Sequence, residues 1–172
     1  ISYETIIERY NSDLANSLGN PVNRTVAMTN KYFDGEIMAP TAPDTLDDEL
    51  KAFALETVAK VDKNIDSYHM ADAVEAVINL AKRCNKYIDE TMPWALAKDE
   101  ANKERLGTVM YNLLETIRIS AILLEPLLTQ TSEKILAFIN TDITSYESIL
   151  EFGGLVSGKN VGDASVLFER ID

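Results

Sequence analysis

Apolar residues recur every three to four positions almost from end to end of this chain. That spacing marks one face of an α-helix and leaves little room for any other regular structure. From Tyr3 to Phe33 the pattern runs through Ile6, Ile7, Tyr10, Leu14, Leu18, Val22, Val26 and Phe33, with Gly35 as its stop. Pro21 sits inside it, so a kink or break is expected there, because proline lacks the amide donor and clashes with the carbonyl four residues back. Met38 to Asp44, holding Pro40 and Pro43, reads as a loop. A second helix starts at the Asp44-Thr45 cap and reaches about Asn64. A third, capped by Asp66 or Ser67, runs to about Asp89, and Pro93 opens a short helical turn from Trp94 to Lys98. A fourth spans roughly Asn102 to Leu124. A fifth covers about Thr129 to Phe138, with Thr129 or Thr131 as its cap.

After Asn140 the periodicity fades, Gly153, Gly154 and Gly158 fall close together, and acidic residues outnumber basic ones. A weak strand pattern covers Ala164 to Phe168. The expected fold is therefore all-α: an antiparallel bundle of about five helices over residues 1–140, with an irregular C-terminal tail over 141–172 that packs along something else. At 172 residues, 46% of them hydrophobic, the chain is the size of one domain and can bury a core without staples.

Several chemistries are excluded by what is missing. Cys84 and His69 are the only residues of their kinds, so neither an internal disulfide nor a Cys/His zinc cage can form. Cys84 lies on an apolar stripe and His69 at a helix start, which suggests a core residue and a surface residue. The most apolar run, Ile119 to Leu128, is broken by Ser120, Glu125 and Pro126, too short for a membrane span. The chain has no phosphate-cradling glycine loop, no hydrolase triad and no Glu-x-x-His pair. The carboxylate pairs Asp62/Asp66 and Glu147/Glu151 read as solvated charge. The start Ile1-Ser2-Tyr3-Glu4 has no leader character and no initiator Met, as expected of a trimmed piece of a longer, cytoplasmic protein. A net charge of −12 argues against indiscriminate nucleic-acid binding, which needs a basic face, but not against a local and specific site.

Two stretches are candidates for recognition. In the first helix Asn16, Asn20 and Arg24 follow one another at intervals of four, with Asn23 alongside. Each step of four drifts only about 40° around a helix, so the three share one stripe. Asparagine is a poor helix former, and several on one face need a reason. Either they form a hydrogen-bond network around Pro21, or they present the amide and guanidinium groups that read base edges. The second stretch is Asn85-Lys86-Tyr87-Ile88-Asp89-Glu90-Thr91-Met92-Pro93-Trp94-Ala95-Leu96-Ala97-Lys98. Pro93 fixes the backbone where a helix ends and the only tryptophan follows. Trp94 is then either wedged into the core or held outward as a platform on which an unpaired base stacks.

These two stretches, with Lys31-Tyr32-Phe33-Asp34-Gly35, Leu123-Leu124-Glu125-Pro126 and the closing Leu167-Phe168-Glu169-Arg170-Ile171, resemble the C-terminal helical domain of methionyl-tRNA synthetase, a class I aminoacyl-tRNA synthetase. The resemblance covers essentially the whole chain. It implies a domain that reads the CAU anticodon of tRNA(Met), detached from the Rossmann domain that joins methionine to tRNA with ATP. The family's anticodon-contacting Asn and Arg map onto Asn20 and Arg24, with Asn16 a turn earlier. Its stacking tryptophan maps onto Trp94 after Pro93, with Lys98 nearby. ATP with Mg, and the zinc-bearing insertion, belong to the absent catalytic domain. The fragment needs no cofactor and catalyses nothing alone. The implied partners are the tRNA(Met) anticodon loop and the enzyme's own catalytic domain, with no membrane and no DNA.

Pro21 departs from the family pattern, where an ordinary apolar residue is expected, and bears on the aim of Asn20. Two rivals predict different surroundings. A helical protein-interaction module would surround Trp94 with an apolar groove. The anticodon domains of leucine, isoleucine, valine or cysteine synthetases share the architecture but not the pairing of an Asn-Arg helix with Pro-Trp.

Overall fold

In a computed structural model of the chain, residues 3–162 are described, apart from the side chains of Tyr3, Ile6 and Ile7. The Ala164–Phe168 strand pattern and the closing Leu167–Ile171 motif lie outside the described residues. Five long helices and one short one follow in order: α1 Tyr3–Phe33, α2 Thr45–Asp66, α3 Met70–Thr91, α4 Pro93–Leu96, α5 Lys103–Leu124 and α6 Thr129–Phe138.

The long helices alternate in direction. Asp47 at the start of α2 meets Arg105 at the start of α5, and Tyr87 near the end of α3 meets Asn112 of α5. Asn11 of α1 approaches Thr131 of α6, while Phe33 packs beside Gly107 of α5. One end of the bundle thus collects the last turn of α1, the first turn of α2, the last turn of α3, all of α4 and the first turn of α5. Helix α5 is the central post: every residue from Leu106 to Leu124 is buried. The expected small core residue Cys84 is buried, and its thiol pKa is pushed up to about 12 by burial.

Helix α1 is not broken at Pro21. It is continuous from Tyr3 to Phe33. Leu14, Leu18, Val22 and Val26 on either side of the proline are all fully buried. At about 1.5–3 kcal/mol for each such side chain, their packing outweighs the roughly 3 kcal/mol that an interior proline costs. The helix ends as expected at Gly35, where Asp34 and Gly35 both have positive φ, 51° and 84°. A Cβ on Gly35 would come within 2.8 Å of Asn30 Oδ1.

Helix α2 begins at Asp44, whose carboxylate accepts from the Leu46 N–H at 3.0 Å while its own N–H donates to Asp47 at 3.0 Å. It runs two residues past the expected end, so Asp66 and Ser67 finish α2 instead of capping α3. The N-cap of α3 is the exposed His69, which makes no side-chain cap. Neither Thr129 nor Thr131 caps α6. Leu128 holds that position, and the Thr129 hydroxyl donates back to the Glu125 carbonyl at 2.8 Å. Hydroxyls that bond backward satisfy themselves locally and cannot serve the next helix.

Residues 141–162 are irregular except for a 3-10 turn at Tyr146–Ile149. Their anchor is an ion pair inside α5. Arg118 Nε donates to Glu115 Oε1 at 2.6 Å, with both side chains fully buried. Glu115 also accepts from the N–H groups of Gly153 and Gly154, at 2.6 and 2.7 Å. Arg118 donates to the carbonyls of Ile143 and Ser148 and to the Ser148 hydroxyl. Further along, the Ile37 N–H donates to the Lys159 carbonyl, and the Gly158 and Val161 N–H groups donate to the Ile37 and Gly35 carbonyls, all at 2.8 Å, tying this segment to the end of α1.

Candidate functional site

The geometry at the end of α3 follows from one residue. Met92 precedes a proline, and the residue before proline is pushed out of the right-handed helical region. It adopts φ 47° and ψ 67°, ending α3 and reorienting the chain into α4. Pro93 is buried at the first position of α4, where its missing N–H costs nothing. The next residue turns outward, so the Trp94 indole is 42% exposed. Of the two sequence alternatives for this ring, the core wedge is excluded.

Beneath this turn a dense polar cluster locks the end of α3. Asp47 accepts from both Arg105 terminal nitrogens at 2.8 and 2.9 Å and from the Tyr87 hydroxyl at 2.6 Å. Arg105 also reaches the Ala42 carbonyl, and Asn112 donates to Tyr87 at 3.2 Å. Burial opposes ionisation of Asp47, yet the hydrogen bonds from Arg105, Tyr87 and the Asp44 N–H outweigh it and hold its pKa below 3.8. Burial, reinforced by the hydrogen bond to Asp47, drives the Tyr87 pKa well above its usual value. The cluster joins three helices immediately under the Pro93-Trp94 turn, so the platform stands on a rigid base.

The polar stripe of α1 faces outward. Asn16 and Asn20 are exposed and Arg24 is half-buried, so they do not form a buried network around Pro21. Asn23, also half-buried, turns its Oδ1 inward with no hydrogen-bond partner. Arg24 leans toward α3, where Nη1 lies 3.5 Å from Asn85 Oδ1, the outer limit of a hydrogen bond. Asn85 is a participant that sequence reasoning quoted but did not single out. Its low helix propensity in the interior of α3 was the available signal.

Arg24 and Asn85 place the stripe at the level of the last turns of α3, and Lys31, Tyr32 and Phe33 reach the level of Leu96 and Ala97 beyond α4. No hydrogen bond or ring contact joins Trp94 directly to Asn20 or Arg24 among the described residues. Lys98 is exposed just past α4. The cavity between the end of α1 and the segment after Leu96 is lined by Lys31, Asp99, Glu100 and Lys103 together with Tyr32 and Leu96. Among the described residues no group of three or more His, Cys, Asp or Glu could hold a metal ion. No helix among them is long and apolar enough to cross a membrane.

This up-and-down helical bundle, with an exposed aromatic on a proline-fixed turn and a polar stripe on α1, is matched by the helical part of an aminoacyl-tRNA synthetase. The chain superimposes with a TM-score of 0.86 on apo methionyl-tRNA synthetase of Mycobacterium tuberculosis, at 30% identity, over 100% of its own length and 35% of that chain. It superimposes at 0.84 on the same organism's enzyme in complex with methionyl-adenylate, over 98% of its length and 33% of that chain. Residues 39–172 match the family model for the anticodon binding domain of methionyl tRNA ligase, and the chain belongs to that family. It is 53% identical to methionine–tRNA ligase of Clostridium perfringens and 46% identical to that of Bacillus subtilis, each over 98% of its length. The chain spans about a quarter of those relatives, 26% in both cases.

Proposed function

We propose that this domain reads the CAU anticodon of tRNA(Met) on behalf of a full-length, cytoplasmic methionine–tRNA ligase. The anticodon loop opens on binding and its bases leave their stack. The first base, a cytosine, stacks on Trp94, while Asn20 and Arg24 hydrogen-bond anticodon bases, with Asn16 and Lys98 supporting bases or backbone. Base–aromatic stacking contributes about 1–3 kcal/mol, and guanidinium and amide groups supply the directional bonds that distinguish one base from another. The observation that carries this reading is the Trp94 ring, 42% exposed on a proline-fixed turn.

Methionine activation with ATP and Mg, and any structural zinc, belong to the remainder of the full-length protein. No donor cluster among the residues described here fits these groups. Of the tail, residues 141–172 by sequence, the described part, 141–162, is anchored on the bundle through Glu115 and Arg118.

The test is Trp94→Ala in the full-length enzyme. Charging of tRNA(Met) should lose efficiency and selectivity, while methionine-dependent ATP–pyrophosphate exchange stays at the wild-type rate. Equal charging by mutant and wild type would remove Trp94 from recognition.

A further inference from the structure

The polar stripe of α1 does not stop at Arg24. Counting from Asn20, Lys31 lies three turns along, displaced by only about 20° around the helix and about 16 Å along its axis. Ala27 lies on the same stripe and is exposed, so no bulky side chain stands between Arg24 and Lys31. Lys31 is exposed at the edge of a cavity of about 260 Å³ between the last turn of α1 and the 96–106 connection. Leu96 and Ala97, two and three residues past Trp94, help line it, so the cavity adjoins the short helix that carries the indole. This volume falls below the roughly 300–1,000 Å³ of drug-sized ligand sites, which suits a single base.

The lining is chemically divided. On the α1 side, Lys31 Nζ sits 5.7 Å from the centroid of the half-buried Tyr32 ring. No carboxylate lies within ion-pairing distance of this ammonium among the described residues. On the opposite side stand Asp99 and Glu100. The Asp99 carboxylate caps the Ala101 N–H at 3.0 Å, and Glu100 pairs loosely with Lys103 at 3.7 Å. A phosphate is drawn to the Lys31 rim and repelled from the carboxylate wall. The N–H donors of a base edge have the opposite preference. One nucleotide satisfies both walls at once, with its phosphate at Lys31 and its base edge toward Asp99 and Glu100.

We propose that this cavity is a subsite for the tRNA nucleotide immediately preceding the anticodon, with Lys31 holding its phosphate and the Asp99–Glu100 wall accepting from its base. The proposal rests on the anticodon reading above. If the triplet runs from Trp94 back along α1 toward Arg24 and Asn20, the chain entering on its 5′ side must pass Lys31.

The experiment measures binding of the full-length enzyme to an anticodon stem-loop RNA across a range of salt concentrations. It compares wild type, Lys31→Ala and Trp94→Ala, and repeats the wild type with an RNA abasic at the nucleotide before the triplet. Lys31→Ala should weaken binding at low salt and reduce the steepness of the log–log salt dependence by about 0.7, the contribution of one phosphate contact on a single strand. The abasic RNA should bind wild type more weakly than the intact loop. If Trp94→Ala weakens binding while Lys31→Ala leaves both affinity and slope unchanged, the subsite is wrong and the anticodon reading stands. A normal slope change with an indifferent abasic RNA also overturns the subsite, because Lys31 would then be a surface phosphate contact only. If neither variant alters binding, both readings fall.

Discussion

Polar groups cluster in two regions of this bundle, and they are built on opposite principles. In the middle of α5, Glu115 and Arg118 are fully buried and their hydrogen-bonding capacity is spent on each other and on the backbone of residues 143–154. Along α1, Asn16 and Asn20 stand in solvent, and Arg24 has one partner, at 3.5 Å. Desolvating a charge is tolerable only when paired groups replace its water, so the first cluster must be saturated to exist at all. The second retains its water and its spare donors, which a ligand can displace. Saturation marks scaffold, and unspent capacity is what the proposed binding surface requires.

The sharpest way to break this contrast is to damage the saturated cluster. Arg118→Ala leaves Glu115 as an uncompensated buried carboxylate and frees two carbonyls. It should cost about 3–5 kcal/mol of folding stability, read from denaturant unfolding midpoints at a constant m-value. A loss under about 1 kcal/mol, the range of an exposed pair, would mean that the cluster is no better desolvated than a surface ion pair. Gly154→Ala probes the same clamp from the other side, because its Cβ would fall 2.5 Å from Arg118 Nη2 and 2.8 Å from the Ser148 carbonyl.

A smaller effect is expected at Asp47, which is buried like Glu115 but sits under the recognition end. Its folded pKa lies below 3.8. A depressed carboxylate stabilises the fold fully above its unfolded pKa, and that contribution disappears as pH falls through the folded value. Wild-type stability should therefore drop more steeply below pH 3.8 than that of Asp47→Asn, which has no proton to take up there. The neutral-pH cost of Asp47→Asn should be about 1.5–3 kcal/mol, less than that of Arg118→Ala. Parallel acid limbs in the two proteins would show that the bonds to Asp47 do not favour its charged form.

The sequence made the bundle readable wherever one helix face differed from the other. The bounds of α6 and the approximate bounds of α2, α3 and α5 follow from apolar spacing and from the stops at Gly35 and Pro126. Where a break was one expectation, at Pro21, packing keeps the helix continuous. The sequence misled where a hydroxyl near a boundary was spent on the end of the preceding helix, as with Ser67 and Thr129. The Glu115–Arg118 pair was invisible for a different reason. A helix buried on all sides has no polar face, so two charges three apart within it look like an ordinary exposed i,i+3 pair. At the candidate site, the stripe of Asn16, Asn20 and Arg24 was legible because helical geometry alone defines it. The exposure of Trp94 was not, because it depends on the left-handed backbone of Met92 and on the cluster under α4. Asn85 escaped because its role exists only across two helices.

Asn85 also yields the finest test of the difference between the two regions. Arg24 and Asn85 are both half-buried and their contact is long, so Asn85→Ala should strand no buried group and should shift unfolding stability by no more than about 0.5 kcal/mol. If Arg24 reads a base, however, the amide that leans on it restricts its rotamers before RNA arrives. Ordering one such side chain on binding costs about 0.5–1.5 kcal/mol, and the variant would bear that cost at the moment of association. The expected signature is a KM for tRNA(Met) raised by about two- to tenfold, with unchanged thermal stability and unchanged ATP–pyrophosphate exchange. The reverse result, a lowered melting temperature with an unaltered KM, would place the Arg24–Asn85 contact with the saturated scaffold and remove it from the binding surface.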